Sequence, residues 1–167
     1  QDRLKTTKIE ESKGASLVFC WDTHLTKIKG RNVLFIVNAS NRYTIAMTDI
    51  EPRNWNYYTM YIRSVIHGVM QEMGYSEDQI GQYFKMSGDT TVTKTHGRKS
   101  VGGINRMVMD AQYFGKKLEK EAKYQWELSE YLNRDICQPE GFDEYGYPSE
   151  LFKLDMERLG IDTKRKP

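Results

Sequence analysis

The chain has 167 residues, which fits one domain with a small appendage and is long enough to bury an ordinary core. With 38% hydrophobic residues, 29% charged residues and a net charge of +2, it is not disordered by composition, and any nucleic-acid binding has to come from a local patch rather than from bulk charge. Cys20 and Cys137 are its only cysteines and no apolar run approaches a bilayer's thickness, so neither a disulfide framework nor a membrane-spanning helix is expected, and a reducing cytoplasm is.

Residues 1–16 are polar, with Lys5, Lys8, Glu10, Glu11 and Lys13, and read as a flexible lead-in or edge element rather than a signal peptide. From Leu17 the pattern turns β-rich. The runs LVFCW and HLTKIK, then VLFIVN after Gly30, then RYTIAM after Asn41, predict an antiparallel meander. Val33–Val37 is apolar on both faces, as a central strand is.

Pro52 opens a helical pattern over residues 53–73 in which Trp55, Tyr58, Ile62, Ile66, Val69 and Met73 recur at three- and four-residue steps, and Gly74 ends it. Ser76 and Gln79 form a capping box that starts a short helix stopping at Gly88. The Thr-rich segment Asp89–Thr95 alternates as a strand and is expected to join the meander as a fourth, edge strand.

A basic turn follows. Lys94, Thr95, His96, Arg98, Lys99 and Ser100 precede Gly102 and Gly103 where a helix begins, and a helix start offers free N–H groups and a positive dipole end to an anion. One reading is a phosphate site in which Arg98 bonds bidentately, with Asn105 and Arg106 about two turns further on. The other is a solvated turn whose Ser100 caps the helix, since GRKSVGG is not the P-loop pattern.

Ile104, Met107, Ala111, Phe114, Leu118, Ala122, Trp126, Leu132 and Ile136 keep helical spacing, so a long helix is expected, divided at Gly115. Unbroken it would span roughly 50 Å, so its second half is read as able to project onto a partner. Tyr124, Trp126 and Tyr131 supply the aromatic surface that protein interfaces favour, and packing back on the sheet is the equal alternative. A loop over 138–148 leads to a last helix, capped by Ser149 and carrying Phe152, and to a basic tail.

The elements predict an α+β fold: a small antiparallel β-meander of three to four strands packed against two main helices, with a C-terminal helical extension. The core domain is placed at residues 17–115, after the lead-in, and the extension and tail at 116–167.

The run W-D-T-H-L, the strand N-V-L-F-I-V-N followed by R-Y, a helix pair and V-T-K-T-x2-R-K-S-V-x3-N together resemble an uncharacterised bacterial family of small proteins catalogued only as a domain of unknown function. The resemblance covers residues 17–114 and places Trp21, Asn38, Arg42, Lys94, Arg98, Ser100 and Asn105 on motif positions. His24 stands where the family has Asn, and Lys99 is an addition between Arg98 and Ser100. The resemblance implies an α+β fold and the company of mobile genetic elements or phage, and it implies no activity.

Other constellations are weaker. Cys20, Asp22 and His24 would share one strand face, but neighbours along a strand do not meet in nucleophile–base geometry. Cys20, His24, His67, His96 and Cys137 show no metal-site spacing, and no metal or cofactor is expected. Function is therefore read as a non-enzymatic, cytoplasmic binding protein of a mobile element or phage. It engages nucleic acid, or a nucleoprotein complex, through Lys94, Thr95, Arg98, Lys99, Ser100, Asn105 and Arg106. The alternative is a protein-interaction module, an antitoxin or anti-defence inhibitor, acting through Tyr124, Trp126, Tyr131 and Phe152 on a protein partner or a second copy. The third is an enzyme whose sheet–helix cleft gathers Asn38, Arg42, Arg98 and Asn105, with no nucleophile assigned.

Overall fold

A computed structural model describes residues 9–10, 16–95 and 97–161. The chain forms two compact units that interleave along the sequence: Gln1–Glu11 with Glu51–Lys94 and Lys153–Pro167, and Ser12–Ile50 with Thr95–Phe152.

The second unit holds the meander, made of β2 (Trp21–Ile28), β3 (Arg31–Asn38) and β4 (Thr44–Thr48) in antiparallel order β2-β3-β4. Leu17–Phe19, read from sequence as β, is a single 3₁₀ turn ahead of β2. The β2–β3 hairpin closes through Lys29 and Gly30, both at positive φ (49° and 81°), a two-residue turn whose twist matches the strands. β3 is the central strand, and its apolar residues are buried on both faces. Val33, Phe35 and Val37 share one face with Ile28 and Ala46 and pack against Ile104, Met107 and Ala111 of α4 (Gly97–Gln112) and Leu128 and Leu132 of α5 (Trp126–Asn133).

The predicted long helix thus ends at Gln112 and resumes at Trp126, and its second part does not project: residues 116–152 belong to the sheet's own unit. The reason lies at the open edge of β4. Thr48 N–H donates to Lys123 O (2.8 Å) and Gln125 N–H to Ala46 O (2.9 Å), so residues 123–125 run beside β4 as a short strand would. From there α5 continues the pairing with side chains. Ala46 N–H donates to Ser129 Oγ (3.0 Å), Thr44 N–H to Asn133 Oδ1 (2.8 Å), and Asn133 Nδ2 to Thr44 O (2.8 Å). Gln125, Ser129 and Asn133 lie four residues apart on one helical face and are buried. A continuous helix through 113–125 would leave that edge unpaired, which a buried strand cannot tolerate.

The first unit contains α1 (Pro52–Asn56), α2 (Tyr58–Glu72) and α3 (Glu77–Ser87). The predicted 53–73 helix is broken at Tyr57, whose φ of −117° and ψ of 47° leave the helical region. Ser76 and Gln79 form the expected capping box, and Gly88 (φ 70°) ends α3. Arg63 lies over the Phe84 ring, 4.5 Å from its centroid, and joins α2 to α3. The Thr-rich segment supplies only β5 (Val92–Thr93), which pairs in parallel with β1 (Ile9–Glu10) rather than adding a fourth strand to the meander. The last helix, α6 (Pro148–Arg158), starts in one unit and ends in the other.

Asn133→Ala orphans a buried N–H and a buried C=O on Thr44, at about 1–3 kcal/mol each. We expect a clear fall in the urea midpoint, against a change below about 0.5 kcal/mol for Glu130→Ala, which removes only an exposed ion pair to Arg134. Equal midpoints for the two variants would remove the edge-pairing role of Asn133.

Candidate functional site

α4 is amphipathic because its apolar residues Ile104, Met107 and Ala111 face the sheet, which forces Arg98, Gly102, Asn105, Arg106 and Met109 outward, where they are exposed along with Lys99. Its first turn carries no acidic residue. Ser100 is half-buried, and its hydroxyl donates to Glu140 Oε2 at 3.4 Å. Of the basic turn, Thr95 and Lys94 are exposed, Lys94 ends the first unit, and His96 lies outside the described residues.

The residues that resembled a family motif converge in part. Asn38 ends β3, and its side chain organises the turn after it: Oδ1 accepts from Ser40 N–H (3.0 Å) and Asn41 N–H (3.2 Å), while Nδ2 donates to Val18 O (2.9 Å). Arg42 N–H then donates to Asn38 O (3.0 Å), and Arg42 itself sits at φ 61°, a left-handed conformation costing roughly 1–2 kcal/mol that the surrounding bonds hold in place. The strained turn aims the Arg42 side chain at α4. There Gly103 has no side chain: a Cβ at that position would lie 2.5 Å from Arg42 Nη2 and 2.6 Å from Cζ. The guanidinium therefore lies flat against Gly103, and it makes no hydrogen bond or ion pair with any described residue.

A hollow opens on either side of Arg42. The smaller, lined by Asp22, Asn38, Arg42, Lys99, Ser100 and Glu140, has a volume of about 10 Å³, enough for one water molecule. Of the four residues expected to share a sheet–helix cleft, Asn38 and Arg42 line this hollow, while Arg98 and Asn105 stand on the outer side of α4. The larger cavity, about 180 Å³, lies between the Arg42 turn, the middle of α4 and the chain beyond α5. Its polar wall holds Arg42, Arg106, Asp110, Asp135, Cys137 and Tyr145, and Met107, Leu132 and Ile136 supply the apolar wall.

Desolvation first, and then Asp135 as partner and as charge, push the Asp110 carboxyl above its usual range, with the Arg106 charge opposing. Burial also raises the Cys137 thiol, with Asp135 adding to the rise and Arg42 and Arg106 working against it, so the thiol is held protonated rather than as a nucleophilic thiolate. Cys137 is fixed by a two-way backbone pair with Gly146 (3.0 and 2.8 Å). Sequence reasoning missed Asp110, Asp135 and Tyr145 because no local spacing links the end of α4 to the loops after α5.

The remaining sequence-selected residues fall elsewhere. Trp21 is half-buried, with its ring 6.2 Å from Phe152, and His24 is half-buried on β2 opposite Phe35. Tyr124 forms an isolated bridge with Met47. Trp126 (48% exposed) and Tyr131 (42%) reach solvent, but Phe152, expected at an interface, is a core residue 1% exposed and 5.4 Å from the Tyr43 ring. Among the described residues no cluster of three His, Cys, Asp or Glu is disposed to hold a metal ion, and no helix is long and apolar enough to cross a membrane.

The model of one family, described as Domain of unknown function (DUF6933), matches residues 1–151. No curated protein and no solved structure matches the chain.

Because the Asp110 pKa is raised, its ionisation costs stability: stability is full below the ordinary carboxylate pKa and falls as pH rises through the raised one. Asp110→Asn should therefore melt slightly higher than the parent at about pH 7 and no higher at about pH 3, where the acid is protonated in both states. The gain is small because the group is only half-buried and solvent screens its interactions. A difference that does not change between the two pH values would contradict the raised Asp110 pKa.

Proposed function

The chain belongs to the DUF6933 family, and from the geometry of its matched region we propose that it is a non-enzymatic, cytoplasmic protein that binds nucleic acid through the outer side of α4. The observation that carries this reading is one exposed helical surface bearing Arg98, Lys99, Asn105 and Arg106, on a helix whose first turn has no acidic residue. Phosphates gain from such a surface twice, through charge-assisted bonds to the cations and through the positive dipole end where Arg98 and Lys99 sit. Gly102, also exposed, leaves the helix backbone open to close approach. With a net charge of only +2, the rest of the chain adds little attraction, so binding depends on these few side chains. Service to a mobile element or phage is part of the proposal and rests on the family resemblance alone.

The alternative, a protein-interaction module, draws support from the exposure of Met109 (62%), Tyr113 (79%), Trp126 (48%), Tyr131 (42%) and Ile136 (50%), all within one unit. Large apolar side chains in such number on one unit are what interfaces use.

The two readings separate by salt. Anisotropy of labelled single- and double-stranded oligonucleotides across a salt series should show affinity falling linearly on logarithmic axes, by about 0.7–0.9 units per phosphate neutralised. The double variant Arg98→Ala, Lys99→Ala should bind more weakly and lose about two units of slope. Absence of binding by the parent, or an unchanged slope in the double variant, would discard the α4 surface. Capture of a protein partner, insensitive to salt and lost in Trp126→Ala with Tyr131→Ala, would favour the alternative.

A further inference from the structure

The larger cavity is separate from the outer surface of α4 and asks for a ligand of its own. We propose that it binds a small organic carboxylate, held by the Arg42 guanidinium and closed at its rim by Arg106. Arg42 is the central observation. It is half-buried, pinned against Gly103 by a strained turn, and its five N–H donors find no acceptor among the described residues. A partly desolvated guanidinium without a counter-ion is costly, and a preorganised one presents the fork that matches two carboxylate oxygens. Gly103 is what makes the placement work, because any side chain there would displace the fork from the cavity wall.

The charges around it set the ligand's sign. Arg42 and Arg106 bring two positive charges to the cavity wall, and desolvation and then the neighbouring Asp135 hold the Asp110 carboxyl above its usual range, so the pair resists carrying both negative charges. The Arg42 guanidinium, with no partner among the described residues, is the charge left to a ligand, which suits a monoanion. A phosphate dianion is disfavoured by its second charge next to the Asp pair. Met107, Leu132 and Ile136 line the remainder, so a short hydrocarbon body is accommodated, and about 180 Å³ admits a ligand of a few carbons and excludes a nucleotide.

Isothermal titration of the full chain with butyrate, and separately with inorganic phosphate, both against chloride at matched ionic strength, tests this. Saturable binding of butyrate with a Kd of about 1 mM or tighter is expected, with none of phosphate. Arg42→Met keeps the side chain's length over Gly103 and should weaken butyrate about tenfold or more through loss of the bidentate pair. Arg106→Met, at an exposed rim position that cannot unfold the core, provides the second variant and should weaken it several-fold. Non-saturating binding of butyrate by the parent would overturn the proposal. So would butyrate affinity unchanged in Arg106→Met and in folded Arg42→Met, and so would saturable binding of phosphate in place of butyrate.

Discussion

The open edge of β4 is the constraint on which the second unit depends. A three-stranded sheet buried at its edge has main-chain groups that neither water nor a fourth strand can satisfy, and here a helix supplies the missing pairing through Gln125, Ser129 and Asn133. Gln125 does more than face the strand. Its side-chain Nε2 donates to Thr48 Oγ1, Glu119 O and Ala122 O, and its Oε1 accepts from Glu119 N–H at 2.8 Å, so one buried amide folds the 119–125 segment around itself. Arg31 closes the same corner with bonds to Glu119 O and to the Asp49 carboxylate, both at 2.8 Å. Such a network is stable only when complete, because each buried amide left half-satisfied costs about as much as several good contacts contribute.

The position of the larger cavity follows from that pairing. Asn133, seated on Thr44, fixes where α5 ends, and the chain just beyond it delivers Asp135 and Cys137 to the cavity wall. Thr44 lies two residues from Arg42, whose main-chain carbonyl accepts from the Thr44 hydroxyl at 3.1 Å. One side chain thus registers both walls, the Arg42 turn on the strand side and the Asp135 loop on the helix side. Asp110, from α4, meets Asp135 only because α4 and α5 are held by the same sheet face, through Met107 and Leu132 among others.

Much of this was legible in the sequence wherever the signal was local. The alternation and turn residues around Gly30 specified the hairpin, the unbroken apolar run marked β3 as central, and Ser76 with Gln79 announced α3, because strand pleat, positive φ and capping are decided by near neighbours. Non-local satisfaction was not legible. Ser129 and Asn133 look like ordinary polar residues of a solvated helix, and only the unpaired strand beside them turns them into buried acceptors and donors. For the same reason helical periodicity across residues 104–136 overstated the helix, since the spacing of Phe114 and Leu118 serves the core cluster without continuous helix between them. At the candidate sites the basic turn was visible as composition, whereas the role of Gly103 as a seat for Arg42 required knowing which strand faced which helix turn.

Arg106 ties the two sides of α4 together. It is exposed with Asn105 on the outer surface and also lines the cavity, where its charge acts on Asp110 and Cys137. A guanidinium drawn toward an anion in the cavity is withdrawn from phosphates outside, and a strand of phosphates outside draws it away from the cavity. On the two proposals together, a ligand of one side weakens the other through this single side chain, and linkage makes the two effects equal in free energy. The coupling is bounded by the worth of one exposed guanidinium, because Arg98 stands only on the outer side, Lys99 borders the smaller hollow and not the larger cavity, and Arg42 lines the interior hollows. On those proposals the outer surface has so few cations that loss of one changes a large share of its attraction for phosphate, and occupancy of the cavity of about 180 Å³ would be felt on the far side of the helix.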